Sequence, residues 1–289
     1  MNFISKTNWR ELILFIISVT LLISFVTPYP AYSENVIIWN GERATYYGGL
    51  VSAAEEFTKR TGIKVITIPG GCSSGVKGVL TGKIDVGGLC CFPKDDEINK
   101  LGIRAYQYAW EALVIVINTA NPITNLSSQQ VKDIFSGKVT NWKEVGGKDN
   151  PIKVITRLHC KDREGHWRQI LPDTSFFKSS KDVKEDQDVL LEMGKSPDTI
   201  GFISMNMINP KFVKVVSVNG VKPSKSSLID RTYPWKMPIS FITRGEAKGN
   251  VRQFIDFVSH EGKAYMNKDM VFMDEIKGES KKIPGKKKQ

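Results

Sequence analysis

The chain's four cysteines are gathered rather than scattered. Cys72, Cys90 and Cys91 close the two ends of "CSSGVKGVLTGKIDVGGLCC", and Cys160 stands beside His159 and ahead of His166 in "RLHCKDREGHW". Thiols and imidazoles in such a set can do three kinds of chemistry. They can pair as disulfides, where four cysteines allow three connectivities. They can coordinate a soft ion such as Cu(I) or Zn(II), or a thiophilic oxyanion such as arsenite, which makes Cys72, Cys90, Cys91, His159, Cys160 and His166 candidate ligands. They can also form a thiolate–imidazole pair for nucleophilic or redox work. Spacing narrows the choice without closing it. Cys90 and Cys91 are adjacent and each needs a different partner, so a bridge from Cys72 to one of them is the easier one to build. No C-x-x-C occurs, which removes a zinc knuckle and a covalently attached haem. The third histidine, His260, sits beside Glu261 in a helical pattern and reads as a surface residue.

The elements that must carry these residues alternate. Val36 to Trp39 reads as a buried strand, Gly49 to Arg60 as an amphipathic helix stopped at Thr61-Gly62, Ile63 to Ile68 as the next strand, and Ser74 to Thr81 as a helix. Lys83 to Gly88, Leu113 to Ile117, Pro151 to Thr156, Ile200 to Ile203 and Met237 to Thr243 read as further strands. Gln129 to Phe135, capped by Ser127 or Ser128, reads as a helix, as do Asp182 to Gly194 and Asn250 to Met266. Strands alternating with helices at this spacing predict an α/β fold, a mainly parallel sheet with helices on both faces. In such sheets ligands sit beyond the carboxyl ends of the strands. Cys72, the Cys90-Cys91 pair and Cys160 each follow a strand, so all four thiols are expected on one rim, where Thr45 could also line the cleft. Asp85 can anchor loop amides or meet a ligand. Asn125-Leu126-Ser127 reads as the approach to a helix cap, and Trp110, Trp142 and Trp235 as packing residues.

The ends and the charge place the protein. Lys6 and Arg10, an apolar run from Leu12 to Val26 and a small-residue site ending at Ser33 describe a secretory signal peptide, residues 1–33. That run is shorter than the roughly 18 residues a spanning helix wants. Periplasmic or secreted location after cleavage is therefore expected. The net charge of +11 is uneven: the tail 277–289 carries six lysines against one glutamate, and the leader adds one more positive charge, leaving about +5 on the body. The tail reads as a solvated, flexible segment. Lysines do not interleave with aromatics along any element, so no nucleic-acid partner is expected.

Four stretches in order resemble one family. "CSSGVKGVLTGKIDVGG", "ALVIVINTANPITNLSSQQVKDIFSGKVTNWKEVGG", "IKVITR" and "TIGFISM" look like the periplasmic phosphate-binding proteins of ABC transporters. The resemblance implies a two-lobed type II binding-protein fold with no catalytic chemistry and no cofactor. Lobe one would hold 34–118 plus 235–276 and lobe two 119–234. A small anionic ligand, phosphate or another oxyanion, would be captured in the cleft by a monomer that serves an ABC permease or a membrane sensor. By the same resemblance Ser73, Ser74 and Gly75 begin an anion-binding helix, and Arg157 pairs with the ligand. The pattern departs at the sulfur: Cys72 stands where the family has a ligand serine, and Cys90 or Cys91 near its ligand carboxylate. "LHCKDREGHW" replaces the family's Gly-Ser-Gly-Thr loop. A metal- or thiophile-binding protein on the same scaffold is the alternative reading.

Overall fold

A computed structural model describes residues 35–91, 95–160, 165–172 and 177–276; the leader, the basic tail and residues 161–164 read from the sequence lie outside them. The strands are β1 (Val36–Glu42), β2 (Lys64–Gly70), β3 (Val86–Leu89), β4 (Ile103–Asn118), β5 (Lys153–Thr156), β6 (Thr199–Ser204) and β7 (Lys236–Arg244). They form one sheet in the order β2-β1-β3-β7-β4-β6-β5, with Lys181–Asp182 beyond β5. β2, β1 and β3 run parallel, and so do β6, β5 and the edge pair. Between those parallel groups β7 and β4 run antiparallel to their neighbours, so the sheet is mixed.

Local chemistry explains the helices that matter to the site. In α1 (Val51–Thr61) Ala53, Ala54 and Phe57 face the sheet, and Gly62 ends the helix in the left-handed conformation at φ 74°, donating back to Thr58 O. α2 (Cys72–Leu80) buries Cys72, Gly75, Val76 and Val79. α3 (Ser128–Phe135) is capped by Ser127: its Oγ accepts the Gln130 N–H at 3.0 Å, and Gln130 Oε1 accepts the Ser127 N–H at 2.8 Å. α4 (Asp186–Met193) starts four residues later than the sequence pattern implies. α5 (Gly249–Ser259) stops seven residues short of the expected Met266, because His260 leaves the helical backbone (φ −125°, ψ −84°) and Glu261–Tyr265 continue as a separate 3-10 turn.

Two hydrophobic cores lie along this sheet. One gathers Ile37, Trp39, Phe57, Val86, Phe241 and Phe254; the other gathers Ile115, Ile117, Phe135, Trp167, Phe202 and Trp235. β4 belongs to both. Ile103 to Ala112 pair with β7, and Leu113 to Ile117 pair with β6. The apolar run Leu113–Ile117 is evident in the sequence, but Arg104, Gln107 and Glu111 interrupt the pattern before it, so the first ten residues of β4 went unread.

Glu111 stands at this handover and is fully buried. Its Oε1 accepts the Ser204 hydroxyl and the Asn206 N–H (2.6 Å), and Asn206 Nδ2 donates onward to Ala44 O at 3.2 Å. The link therefore runs from the second core to the loop after β1. Burial pushes the Glu111 carboxyl from its ordinary 4.5 up to about 7. A proton held more tightly in the folded state stabilises the fold below pH 4.5, and that contribution is lost as pH rises through 7. The difference is worth about 3 kcal/mol. Glu111→Gln mimics the protonated form, so the variant should lose less melting temperature than the wild type between pH 5 and pH 8.5. Identical pH profiles in differential scanning calorimetry would contradict this.

Candidate functional site

The carboxyl ends of β1, β2, β3 and β5 open onto one cleft, as the parallel-sheet rule requires. Its walls include Glu42, the last residue of β1, with Arg43 after it; Gly70, the last residue of β2, with Gly71 and Cys72 after it; Cys90 after β3; Arg157 and His159 after β5; and Asp186 at the start of α4. The space measures about 450 Å³ with its open mouth included.

The sulfur atoms converge at the cleft's base. Cys72 Sγ lies 3.3 Å from Cys90 Sγ, and the Cys90 N–H points at Cys72 Sγ over 3.4 Å. The Sγ atoms of Cys72, Cys91 and Cys160 lie within 4.8 Å of one another. So do the donor atoms of Cys90, Cys91, His159 and His166. No disulfide joins the four cysteines in this structure, so the disulfide bracing open from spacing alone is not what the cluster displays. Cys160 reaches it through a left-handed backbone, φ 52°. The Cys72 thiol is held well below its ordinary range, first by its hydrogen bond with Cys160 and then by those with Cys90 and Cys91. Cys90 and Cys91 are pushed up, Cys90 chiefly by the bond it gives Cys72 and Cys91 chiefly by that to Cys160. Cys72 is thus the acceptor of the group.

Both imidazoles are neutral at neutral pH. Burial lowers His159 to about 3, assisted by His166 and Arg157, and lowers His166 to about 4. Their rings lie 4.8 Å apart. His166 Nδ1 faces Cys90 O at 3.1 Å and His159 Nδ1 faces Arg157 O at 3.3 Å. A neutral ring facing a carbonyl must donate, so each Nδ1 carries the proton and each Nε2 keeps its lone pair. Trp167, in the second core, pins this loop with an Nε1 bond to His159 O at 2.8 Å.

The charged groups form the cleft's other wall. Arg157 Nε donates to Lys184 O (2.9 Å), and one Nη lies 3.3 Å from Asp186 Oδ1. Arg43 donates to Gly70 O (2.8 Å) and pairs with Glu185. Burial raises the Asp186 carboxyl against the pull of Arg157. Glu42 is buried and raised well above the carboxylate range, chiefly by desolvation. Its Oε1 accepts the Thr45 hydroxyl, and its Oε2 has no hydrogen-bond partner among the described residues.

The expected residues sort into three groups. Cys72, Cys90, Arg157, His159 and His166 line the cleft, with Cys91 and Cys160 joined to them through sulfur. Thr45 lies behind the wall and positions Glu42. Ser73 and Ser74 are exposed at the start of α2, where Ser74 Oγ donates to Asn40 Oδ1 (2.7 Å) and accepts the Gly71 N–H (3.0 Å). Three assignments change: that of Thr45, and those of Asp85 and Gly75. Asp85 precedes β3, at the end away from Cys90, and accepts the Ile38 N–H at 2.8 Å; it anchors the sheet and does not reach the cleft. Gly75 offers no group to a ligand, because it lies flat on β1 and β3, where a Cβ would meet Asn40 O at 2.8 Å and Gly88 O at 3.1 Å. Glu42, Arg43 and Asp186 were missed. The first two stand at the carboxyl end of β1, Glu42 as its last residue and Arg43 next, so the rule that found the cysteines also covers them; Asp186 carried no such signal.

Three similarities to known proteins bear on this cleft. A family model described as a PBP superfamily domain matches residues 43–261. The phosphate-binding protein PstS of Bacillus subtilis is 26% identical over 217 residues, covering 73% of this chain and 71% of that protein. The crystal structure of a putative phosphate ABC transporter substrate-binding protein with bound phosphate, from Clostridium perfringens, superposes with a TM-score of 0.72. It is 23% identical and covers 82% of this chain and 99% of that one. The architecture is that of the two-lobed type II binding proteins.

Gly75 gives a direct test of how α2 is seated. Gly75→Ala must lift the helix off two backbone carbonyls and should cost about 1–3 kcal/mol in chemical denaturation. Stability equal to the wild type would show that α2 is not packed this closely.

Proposed function

This chain belongs to the PBP superfamily, and from that premise we propose that it is an extracytoplasmic solute-binding protein that captures phosphate or a similar small oxyanion. One observation carries the reading: the amino end of α2 and the Arg157 guanidinium line the same cleft. The first amides of a helix point outward without intrahelical acceptors, and the helix dipole makes that end positive. A guanidinium adds a planar fork that fits two oxyanion oxygens. Glu42, neutral through burial, adds a carboxyl proton that a dianion can accept. Asp186 holds Arg157 in place.

The two cores would act as lobes joined by β4 and by the return near Trp235, and a captured anion would draw them together. Arg43 with Glu185, and Tyr47 with Gln187 (2.9 Å), already pair residues of the first core's loops with the start of α4. The closed form would then be read by a membrane permease or sensor, with residues 1–33 acting as the export signal cleaved near Ser33. Binding and release suffice for this role, without bond making or breaking.

Calorimetric titration of the purified protein with phosphate, sulfate and arsenate tests the reading. Saturable binding of at least one of them is expected, and Arg157→Ala should weaken it by at least about tenfold, equivalent to about 1.4 kcal/mol, while the fold persists by circular dichroism. Absence of binding to all three anions, or unchanged affinity in the variant, would sink the assignment.

A further inference from the structure

We propose that Cys90, Cys91, His159 and His166 form a binding site for one thiophilic cation with a filled d shell, of the Zn(II) class, at the base of the cleft. Oxyanion capture leaves this cluster unexplained, since it uses none of these four side chains' donor atoms. The four donors lie within 4.8 Å of one another. Zinc bonds of about 2.3 Å to sulfur and 2.0 Å to nitrogen place tetrahedral donors about 3.5 Å apart. A contraction of at most about 1.3 Å therefore closes the site, within the reach of small side-chain rotations.

The second observation is independent of the distances. Each imidazole already has its Nδ1 turned to a backbone carbonyl, His166 to Cys90 O at 3.1 Å and His159 to Arg157 O at 3.3 Å. With Nδ1 so engaged, Nε2 is the nitrogen each ring has left for a metal, and His159 Nε2 lies 3.9 Å from Cys90 Sγ, where it can accept the thiol proton that an ion would displace. Metal-bound histidines are oriented in this way, with the second nitrogen tied to an oxygen acceptor.

Charge favours the same occupant. Binding a divalent ion displaces one proton from each of Cys90 and Cys91, and the two thiolates neutralise the ion with no change of oxidation state. A neutral centre is what a buried position tolerates. Two sulfur and two nitrogen donors in a tetrahedron select zinc over harder ions. The neighbouring set Cys72, Cys91 and Cys160 offers three sulfurs. It shares Cys91 with the first set, so the two compete for one ion.

The test uses purified protein, reduced, stripped of metal and with all four thiols counted as free, in phosphate-free buffer. Titration with Zn(II) against a chromophoric chelator, and with Co(II) as a spectroscopic substitute, should each give one equivalent, the cobalt form showing tetrahedral visible bands and thiolate charge transfer. Cys91→Ser and His159→Gln should each weaken zinc binding by at least about tenfold, and His260→Gln should not. His159 is only partly buried, so its variant keeps the test open if Cys91→Ser fails to fold. No stoichiometric binding, an octahedral cobalt spectrum, an all-sulfur X-ray absorption shell, or unchanged affinity in His159→Gln would overturn the proposal. Because the titration contains no oxyanion, its failure leaves phosphate capture untouched, and failure of phosphate capture leaves it untouched.

Discussion

One strand holds the two cores in register. β4 pairs with β7 through Ala112 and with β6 from Leu113 onward, so neither core can move without passing the change through it. The parallel strands on both sides end toward a common gap, and their loops become its walls. Glu111 sits where β4 changes partners, and its hydrogen bonds to Ser204 and Asn206 reach Ala44 on the far wall. Burying a carboxyl there is costly unless it is neutral and hydrogen-bonded; burial raises it to about 7, and both hydrogen bonds fall on Oε1 while Oε2 has no partner among the described residues.

The cleft keeps its charge low for the same reason. Burial pushes the Glu42 carboxyl up, toward its neutral form, and keeps the two histidines neutral. Arg43 and Arg157 each face an acidic residue. A low-charge wall strengthens the few fields that remain, those of the α2 amino end and of the Arg157 fork, because less water and fewer counterions screen them. Sulfur adds to this economy of charge. Of Cys72, Cys90 and Cys91, Cys72 is the one drawn toward the thiolate, and its neighbours' thiols solvate it.

Much of this was legible residue by residue. The cap Ser127 with Gln130, the apolar run Leu113–Ile117 and the order of strands and helices follow from local patterns. The position of the four cysteines on one rim followed from a single rule about parallel sheets. The rule was applied too narrowly, to Thr45 and not to Glu42 and Arg43 just before it. Asp85 takes the first of its two readings, anchoring an amide and not meeting a ligand; the choice depended on a strand starting at Val86, a boundary that periodicity does not fix to within a few residues.

By itself the sequence determined the kinds of donor available, the alternation that makes an α/β sheet, and the strand after which each thiol appears, because these depend on short-range stereochemistry and on hydrophobic period. Only the tertiary structure decided which donors meet. Cys90 and His159 are 69 residues apart in the chain, and Glu42 and Asp186 are farther still. Their approach is set by the handover of β4 between two partners and by packing of Trp167 behind the His159 loop. Such contacts between distant residues are properties of the packed cores, which no window of local sequence contains.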